Sequence, residues 1–152
     1  MSRRIYRVCR AIYAHLDGEG AKRVGGRWNS PGRAVVYMAE TVSLAVLENL
    51  VHMAREDFPA GYVVVAATVP EQIRVQRDQD LLIESRVIDH RQLGDQWIDS
   101  CDSAVLEVRS TIVPFEHNYL LNPQHPDFAA IAVEPPVPFV FDERLFGSRQ
   151  NR

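Results

Sequence analysis

The sequence is poor in cysteine, with two in 152 residues, and their positions exclude the usual cysteine-based architectures. Cys9 and Cys101 lie far apart and form no Cys-x-x-Cys pair, so neither a disulfide framework nor a zinc site is indicated. No stretch approaches the roughly 18 apolar residues that a membrane span needs. The N-terminal arginines are not followed by the apolar run of a secretory signal. We therefore expect a cytoplasmic protein with no membrane segment and no metal.

The familiar nucleotide and hydrolase motifs are also missing. There is no G-x-G-x-x-G or Walker loop, and no serine lies in a G-x-S-x-G elbow. The net charge of −3 disfavours a general binder of nucleic acid. Basic residues nevertheless concentrate in the first quarter of the chain, at Arg3, Arg4, Arg7, Arg10, Lys22, Arg23, Arg27 and Arg33. Two interpretations remain open, a solvated basic rim or a pocket for a small ligand that carries phosphate.

The composition that is present predicts an ordinary globular fold. Hydrophobic residues make up 46% of the chain and charged residues 24%, and the length suits one domain over residues 1–152. Predicted strands outnumber helices and are not separated by regular helices, which indicates an α+β fold with mixed or antiparallel sheets. Strands are expected at 5–13, 35–37, 62–69, 103–113, 129–133 and near the C-terminus, with a short strand or turn at 73–75.

The clearest predicted helix covers residues 41–55, with Thr41 or Ser43 as its cap, and a short helix is expected near Trp97. Two segments are predicted as loops, 17–33 and 115–128. The first holds five glycines and a proline, and loops of such length are often functional.

The first candidate for chemistry is the sequence GGRWN at residues 25–29. Adjacent glycines let the backbone approach a ligand closely, and Arg27 offers a planar set of donors that suits a phosphate. A Gly-Gly pair is also a plain turn signal, so this motif alone leaves function open. Tyr37 on the following strand is either a core residue with its hydroxyl at the edge or a ring that stacks on a flat heterocycle.

Glu48 is a carboxylate in an otherwise leucine-rich helix. Steps of about 100° per residue place it on one polar arc with Thr41, His52 and Arg55. Two interpretations follow. The arc is either a solvated face with a Glu48–His52 pair, or Glu48 faces a cleft and stabilises positive charge that develops on a sugar.

Two polar candidates lie in the C-terminal half. Ser110 follows a predicted strand, and the lack of a nucleophile elbow disfavours triad chemistry there. Asn118, Asn122 and His125 form a polar cluster in a proline-rich segment, where such side chains usually bind loop backbone groups.

Taken together, these pieces resemble the RES-domain family, bacterial toxins named for an arginine, a glutamate and a serine. The matching stretches are GGRWN at 25–29, VVYMAETVSLAVLENLVH at 35–52, LGDQW at 93–97, SAVLEVRS at 103–110 and NYLLNPQHPDF at 118–128. They span nearly the whole chain in the expected order. The chain departs from the family pattern in one place. Arg109 precedes Ser110, whereas family members look like Val-Pro-Ser at these positions.

The resemblance implies a fold like that of ADP-ribosyltransferase toxins and an NAD⁺ substrate, with no additional cofactor. The positions that match the family site are Arg27, Tyr37 and Glu48 as catalytic residues, with Arg7, Ser110 and Asn118 as substrate-binding residues. It also implies a partner antitoxin of the Xre type that blocks the active-site entrance, with nucleic acid contacted only through that antitoxin.

The expected activity is degradation of NAD⁺ at the nicotinamide–ribose bond, as a glycohydrolase or a phosphorylase. Water or phosphate as acceptor, and NAD⁺ or NADP⁺ as substrate, stay open. One alternative is transfer of ADP-ribose to a protein. Another is a non-enzymatic interaction module that binds nucleic acid through the basic N-terminal quarter.

Overall fold

The computed structural model describes residues 1–53, 59–84 and 89–147 and contains a mixed β-sheet flanked by short helices. The strands are β1 (Arg3–Arg10), β2 (Val36–Ala39), β3 (Tyr62–Val69), β4 (Val75–Arg77), β5 (Val105–Arg109), β6 (His117–Leu121), β7 (Ala132–Val133) and β8 (Val137–Phe139). The α-helices are α1 (Glu19–Val24), α2 (Val42–Leu50), α3 (Asp78–Glu84) and α4 (His90–Ser100). The α+β prediction is confirmed. Within the described ranges, no helix is long and apolar enough to cross a membrane.

The strands form one sheet in the order β4-β5-β6-β2-β1-β3-β7, and β8 also pairs with β3. Among the described strands, β4 and β5 run parallel and the other pairs are antiparallel. β1 and β3 pair along their whole length, from Arg3–Val69 to Arg10–Tyr62. By contrast, β1 and β2 pair over a short stretch, where Tyr6 lies opposite Ala39. Both of these strands line the cleft described below.

Neighbouring residues of one strand pack on opposite faces of the sheet, as the twofold alternation of a strand requires. On β6, Leu121 packs in a cluster with Ile5 on one face. Leu120 packs with Leu93 and Trp97 of α4 on the other. Each of these two leucines is fully buried. Helix α4 therefore covers the sheet on the side that carries the GGRWN loop.

One predicted loop contains a central strand. Residues 115–128 were expected to be an ordered loop, but His117–Leu121 forms β6 between β5 and β2. The nearby prolines at 123 and 126 indicated a loop, yet both follow the strand. The apolar pair Leu120 and Leu121 fills both faces of the sheet, and that burial outweighs the polar start of the segment.

Other boundaries also differ from the prediction. The glycine-rich segment 17–33 includes the short helix α1, and α3 and α4 occupy a stretch where one short helix was expected. The strand expected over 103–113 ends at Arg109. The helix expected over 41–55 is observed over Val42–Leu50, and residues 54 and 55 lie outside the described residues.

Candidate active site

A cleft of about 1490 Å³ opens beside strands β1 and β2. Its lining includes five of the six predicted site residues: Arg7, Arg27, Tyr37, Glu48 and Asn118. The sixth, Ser110, is buried and contacts Glu48. Pockets for drug-sized ligands usually measure about 300–1,000 Å³, so the cleft has room for a ligand of dinucleotide size.

Helix α2 positions Glu48 because its start and its inner face are both fixed. The Thr41 hydroxyl caps the helix by accepting a hydrogen bond from the Leu44 N–H at 3.0 Å, so one of the two predicted caps is confirmed. Asn49, the residue after Glu48, donates from Nδ2 to the Val8 carbonyl of β1 at 2.7 Å. This bond ties the helix to the sheet directly beside the carboxylate.

The Glu48 carboxylate is held by two neutral donors. Its Oε2 accepts hydrogen bonds from Asn118 Nδ2 at 2.8 Å and from Ser110 Oγ at 3.3 Å. No described residue donates to Oε1. The half-buried side chain thus reaches toward β5 and β6, and its geometry matches the cleft-facing orientation rather than a solvated pair with His52.

The hydroxyl of Ser110 is fully engaged. Its oxygen accepts hydrogen bonds from the N–H groups of Ile112 at 3.1 Å and Val113 at 3.0 Å, while its proton is directed to Glu48. A hydroxyl has one proton and two acceptor positions, so these three contacts use all of them. Ser110 is therefore arranged to orient Glu48 rather than to attack a substrate.

Arg109 occupies the position where the family pattern has proline. Its N–H donates to Asp78 Oδ2 at 3.3 Å, a bond that a proline cannot make. It also pairs with His117 at the end of the β5–β6 ladder. The turn that places Ser110 is thus held here by a hydrogen bond and strand pairing instead of by a ring.

The predicted polar cluster divides into one site residue and two loop residues. Asn118 lies on β6 and reaches the cleft, and its Oδ1 is buried with no partner in the described part of the chain. Asn122 accepts from the Gln124 N–H at 3.0 Å, and the His125 ring accepts from the Asp127 N–H at 3.0 Å. Asn122 and His125 therefore serve the loop backbone.

Arg7 bridges the two strands at the base of the cleft. Its Nη1 donates to the Tyr37 carbonyl at 3.2 Å, so the guanidinium binds a β2 backbone group beside the short β1–β2 contact. Its Nε is buried and has no partner among the described residues. Buried polar atoms are rarely left unpaired, and the two that stand out here, on Arg7 and Asn118, both belong to the cleft.

The Tyr37 hydroxyl holds the GGRWN loop. It accepts from the Trp28 N–H at 3.1 Å and donates to Asn29 Oδ1 at 2.6 Å. Asn29 is 0% exposed, and its Nδ2 donates to the carbonyls of Ala21 and Arg33 at 2.9 and 3.0 Å. Asn29 thus joins the loop to α1 and β2, and Arg27 sits between these anchored positions.

Both glycines of the loop are needed for its shape. Gly25 has a φ of +79°, which L side chains rarely adopt. A Cβ on Gly26 would lie 2.7 Å from the Tyr37 hydroxyl and 3.0 Å from Asn29 Oδ1. Gly25 therefore permits a turn with a positive φ, and Gly26 permits the close approach of the Tyr37 and Asn29 side chains.

Helix α4 holds the same loop from the other side, a contribution that the sequence analysis missed. A Cβ on Gly94 would lie 1.7 Å from the Trp28 carbonyl oxygen, so only glycine allows this approach. The Ser30 N–H donates to Asp95 Oδ1 at 2.8 Å, and the ring of His90 stacks on Trp28 at 4.4 Å. The sequence signal for this contact was the combination of Gly94 and acidic residues in a helix that follows a basic, glycine-rich loop.

The arginines of the first quarter separate into two groups. Three are paired at ordinary salt-bridge distances: Arg3 with Glu107 at 2.7 Å, Arg4 with Glu134 at 2.6 Å and Arg33 with Asp99 at 2.8 Å. Four others line the cleft, Arg7, Arg10, Arg23 and Arg27, and none of the four forms a salt bridge within the described ranges. With Arg91 and Arg109, six arginines line the cleft against four carboxylates, those of Asp17, Glu19, Glu48 and Asp89, so the lining carries an excess of positive charge.

Tyr37 is neutral under physiological conditions. Burial raises the pKa of its hydroxyl to about 12, although the Trp28 hydrogen bond and the guanidinium groups of Arg91 and Arg27 oppose that rise. A neutral phenol that is already bound to two loop groups positions its neighbours and is not a general base.

The arrangement combines the Glu48 carboxylate, held by two neutral donors, with several guanidinium groups that form no salt bridge to the described residues. Guanidinium groups bind phosphate through paired hydrogen bonds, and a carboxylate held in place stabilises positive charge that develops in a transition state. Within the described residues, no group of three or more His, Cys, Asp or Glu side chains could hold a metal ion. The site thus fits a ligand that is anionic at one part and becomes cationic at another.

The chain is similar to known proteins over most of its length. The RES domain family matches residues 4–142. A protein named Toxin Res from Yersinia enterocolitica is 35% identical over 149 residues, covering 93% of this chain and 98% of that protein. A Prs ADP-ribosylating toxin from Sphingobium sp. is 36% identical over 140 residues, covering 86% of each chain.

A solved structure shares the fold. The crystal structure of the M. tuberculosis MbcT-MbcA toxin-antitoxin complex contains a chain that aligns with a TM-score of 0.66 at 17% identity. The alignment covers 96% of this chain and 87% of that one. Together with the ADP-ribosylating relative, it confirms the predicted toxin-type fold.

Proposed function

The chain belongs to the RES domain family, and we propose that it is a toxin that degrades NAD⁺ by cleaving the bond between nicotinamide and ribose. The observation that carries this proposal is the Glu48 carboxylate, held at Oε2 by Asn118 and Ser110 at the wall of a cleft lined by unpaired arginines.

In the proposed reaction, the C1′–N bond breaks and its electron pair leaves with nicotinamide, which departs as a neutral base. The ribose is left with oxocarbenium character. Because the leaving group is neutral once free, no general acid is required, in contrast to glycosidases with two carboxylates. Glu48 would stabilise the ribosyl cation through its charge. Its Oε1 is the oxygen to which no described residue donates a hydrogen bond.

The acceptor completes the reaction. Water would add to C1′ and lose a proton to give ADP-ribose, and phosphate would give ADP-ribose 1″-phosphate. In both cases Arg27 would bind the diphosphate of NAD⁺, since a guanidinium fork suits phosphate oxygens. Arg7, Tyr37 and Asn118 would line the nicotinamide-ribose end, where Arg7 Nε and Asn118 Oδ1 are the unpaired buried atoms.

We also propose a protein partner, an antitoxin of the Xre type that covers the cleft and supplies any contact with nucleic acid. Two observations support a partner at this position. The fold neighbour was solved in a toxin-antitoxin complex. In addition, Ile12, Tyr13 and Val24 line the cleft and are 70%, 48% and 75% exposed, which is an apolar rim suited to a protein surface.

The proposal is tested by incubating the purified protein with NAD⁺ and measuring nicotinamide release. We expect wild type to release nicotinamide and Glu48→Gln to reduce kcat by about 100- to 1,000-fold, comparable to the loss of a main electrostatic group in other active sites. Glu134→Gln is the matched control, since Glu134 lies outside the cleft in an exposed pair with Arg4. Unchanged release by Glu48→Gln would refute the assignment.

A second candidate is transfer of ADP-ribose to a protein, and the name of the Sphingobium relative, Prs ADP-ribosylating toxin, favours it. It uses the same bond cleavage with a protein side chain as acceptor. NAD⁺ labelled in the adenine ring, incubated with the protein and a cell lysate, separates the two. Label in free ADP-ribose or its phosphate supports degradation, and label in a discrete protein band supports transfer.

A further inference from the structure

We propose that Arg91 is a second phosphate-binding residue of the cleft and that it acts with Arg27 to hold a diphosphate. The identity of the ligand as NAD⁺ rests on the proposed function, but the diphosphate site itself is argued from the geometry below.

Arg91 reaches the loop that carries Arg27. It is the second residue of α4, exposed, and lines the cleft. Its backbone N–H donates to the capping carboxylate of Asp89 at 2.9 Å, which fixes the start of the helix. Its side-chain Nε donates to the Gly26 carbonyl at 3.2 Å. That carbonyl belongs to the peptide that joins Gly26 to Arg27, so one peptide group links the two arginines.

The bond to Gly26 orients the guanidinium without consuming it. It uses Nε, and the two terminal nitrogens with their four N–H groups have no partner among the described residues, so they can bind a ligand. An arginine held in this way loses less conformational freedom on binding than a free side chain. Arg91 is therefore anchored at its inner nitrogen and open at its outer edge.

The two guanidinium groups differ from that of Arg33 in their ion pairing. In the described part of the chain, Arg27 and Arg91 form no salt bridge, whereas Arg33 on the same loop binds Asp99 through two hydrogen bonds of 2.9 and 2.8 Å. Both side chains line the cleft, and Arg91 binds the carbonyl of the residue that precedes Arg27, so the two arginines meet at the same loop. Two positive charges, one on the loop and one on the helix bound to it, match the charge and the two phosphorus centres of a diphosphate.

The competing explanation is that Arg91 only supports the loop. In that case its removal would displace Trp28 and Tyr37 as well as Arg27, and it would weaken every ligand of the cleft. If Arg91 binds phosphate, its removal instead weakens the binding of ligands in proportion to the number of their phosphate groups.

The test measures binding of ADP and adenosine by calorimetry in the Glu48→Gln background. Starting from this background, we expect ADP to bind more tightly than adenosine. Adding Arg91→Ala should weaken ADP about tenfold or more, as expected for a charge-assisted hydrogen bond, and leave adenosine unchanged. Arg33→Ala is the control, because it removes the same charge from the paired arginine outside the cleft lining, and ADP affinity should not change.

Three results would overturn the proposal: ADP affinity unaffected by Arg91→Ala, ADP and adenosine weakened equally, or no preference for ADP over adenosine before the change. The outcome is independent of turnover. If the protein binds ADP through Arg91 but wild type releases no nicotinamide from NAD⁺, the proposed function fails and the diphosphate site stands.

Discussion

Neighbouring residues of β6 donate hydrogen bonds to two carboxylates, one at the candidate active site and one that stabilises the sheet. Asn118 binds Glu48 on the cleft side, and Tyr119 binds Glu107 on the opposite face at 2.6 Å. Both carboxylates are largely covered and hydrogen-bonded. They differ in what neutralises their charge.

Glu107 is surrounded by partners that satisfy it. Arg3 donates to Oε2 at 2.7 Å, and Arg77 lies 3.4 Å from Oε1. Burial acts to raise the pKa of Glu107, but the hydrogen bond from Tyr119 and the nearby positive charges outweigh it and hold the pKa below its ordinary value. Such a group is built to remain charged and to hold the sheet together.

Among the described residues, by contrast, Glu48 receives only neutral donors, and Arg7, Arg10, Arg23 and Arg27 of the same cleft form no salt bridge. Charges that a protein leaves uncompensated in a cleft cost stability unless a ligand uses them, and they are common at functional sites. The contrast teaches that the paired or unpaired state of the charges, more than burial, distinguishes the functional carboxylate from the structural one.

The strongest of the remaining tests removes the donor on the cleft side. Asn118→Ala deletes the 2.8 Å hydrogen bond to Glu48, and we expect kcat for nicotinamide release to fall about 10- to 100-fold, the equivalent of one hydrogen bond to a charged group. KM should change less than kcat, because the Asn118 Nδ2 acts through Glu48 and its Oδ1 alone is left to meet the ligand.

Asn122→Ala is its matched control. Asn122 lies on the same chain segment and is buried more deeply, at 1% exposed, but it serves the Gln124 N–H, so the variant should lose stability and keep its kcat per folded molecule. An equal fall of kcat in both variants would mean that Asn118 matters only for folding. It would contradict the distinction between the functional Glu48 and the structural Glu107.

A smaller effect is expected at the loop that carries Arg27. Gly26→Ala places a methyl group 2.7 Å from the Tyr37 hydroxyl, which is bound to the fully buried Asn29 and cannot retreat. The loop must move, and we expect KM for NAD⁺ to rise about tenfold, as for the loss of one charge-assisted contact. Steady-state kinetics checks this. Gly20→Ala, at a helical position with nothing within 4 Å of the new methyl, should bind NAD⁺ like wild type; a matching rise there would point to a general effect.

The smallest effect belongs to the structural carboxylate. Glu107→Gln should lower the free energy of unfolding by about 1–2 kcal/mol at pH 7, since Arg3 is 41% exposed and solvent weakens that pair. Nicotinamide release should be unchanged. Urea unfolding at several pH values measures the difference.

The pH dependence has a definite sign. Because the pKa of Glu107 is lowered in the folded protein, its contribution is fully present above the ordinary carboxyl value of 4.5. The contribution disappears as pH falls through the lower folded value, so wild type and Glu107→Gln should converge at acid pH. A constant difference at all pH values would show that the variant acts by disturbing packing.

Much of the fold was predictable where burial and local preference agree. The β-branched run YVVVAATV forms β3 with the predicted bounds 62–69, and Thr41 caps α2 as expected. Strand β6 was not predicted, because its polar first residues and the prolines behind it resemble a loop. Its place between β5 and β2 depends on long-range pairing that no local pattern encodes.

Five of the six predicted site residues line one cleft, but their arrangement could not be predicted from the sequence. Helical spacing located Glu48 on a polar arc, yet spacing alone does not say whether that arc meets water or the polar donors of two strands. Arg91 lay in a segment without clear periodicity, and its approach to Gly26 follows only from the packing of α4 on Trp28. The paired arginines likewise could not be told from the free ones before their carboxylates were placed.

A crystal structure of the Glu48→Gln variant with NAD⁺ tests the central claim most directly, because the variant should bind the dinucleotide without cleaving it. The account predicts the nicotinamide ribose against the side chain at position 48, with the diphosphate at Arg27. NAD⁺ bound outside the cleft, or in it with that ribose remote from position 48, would contradict the claim.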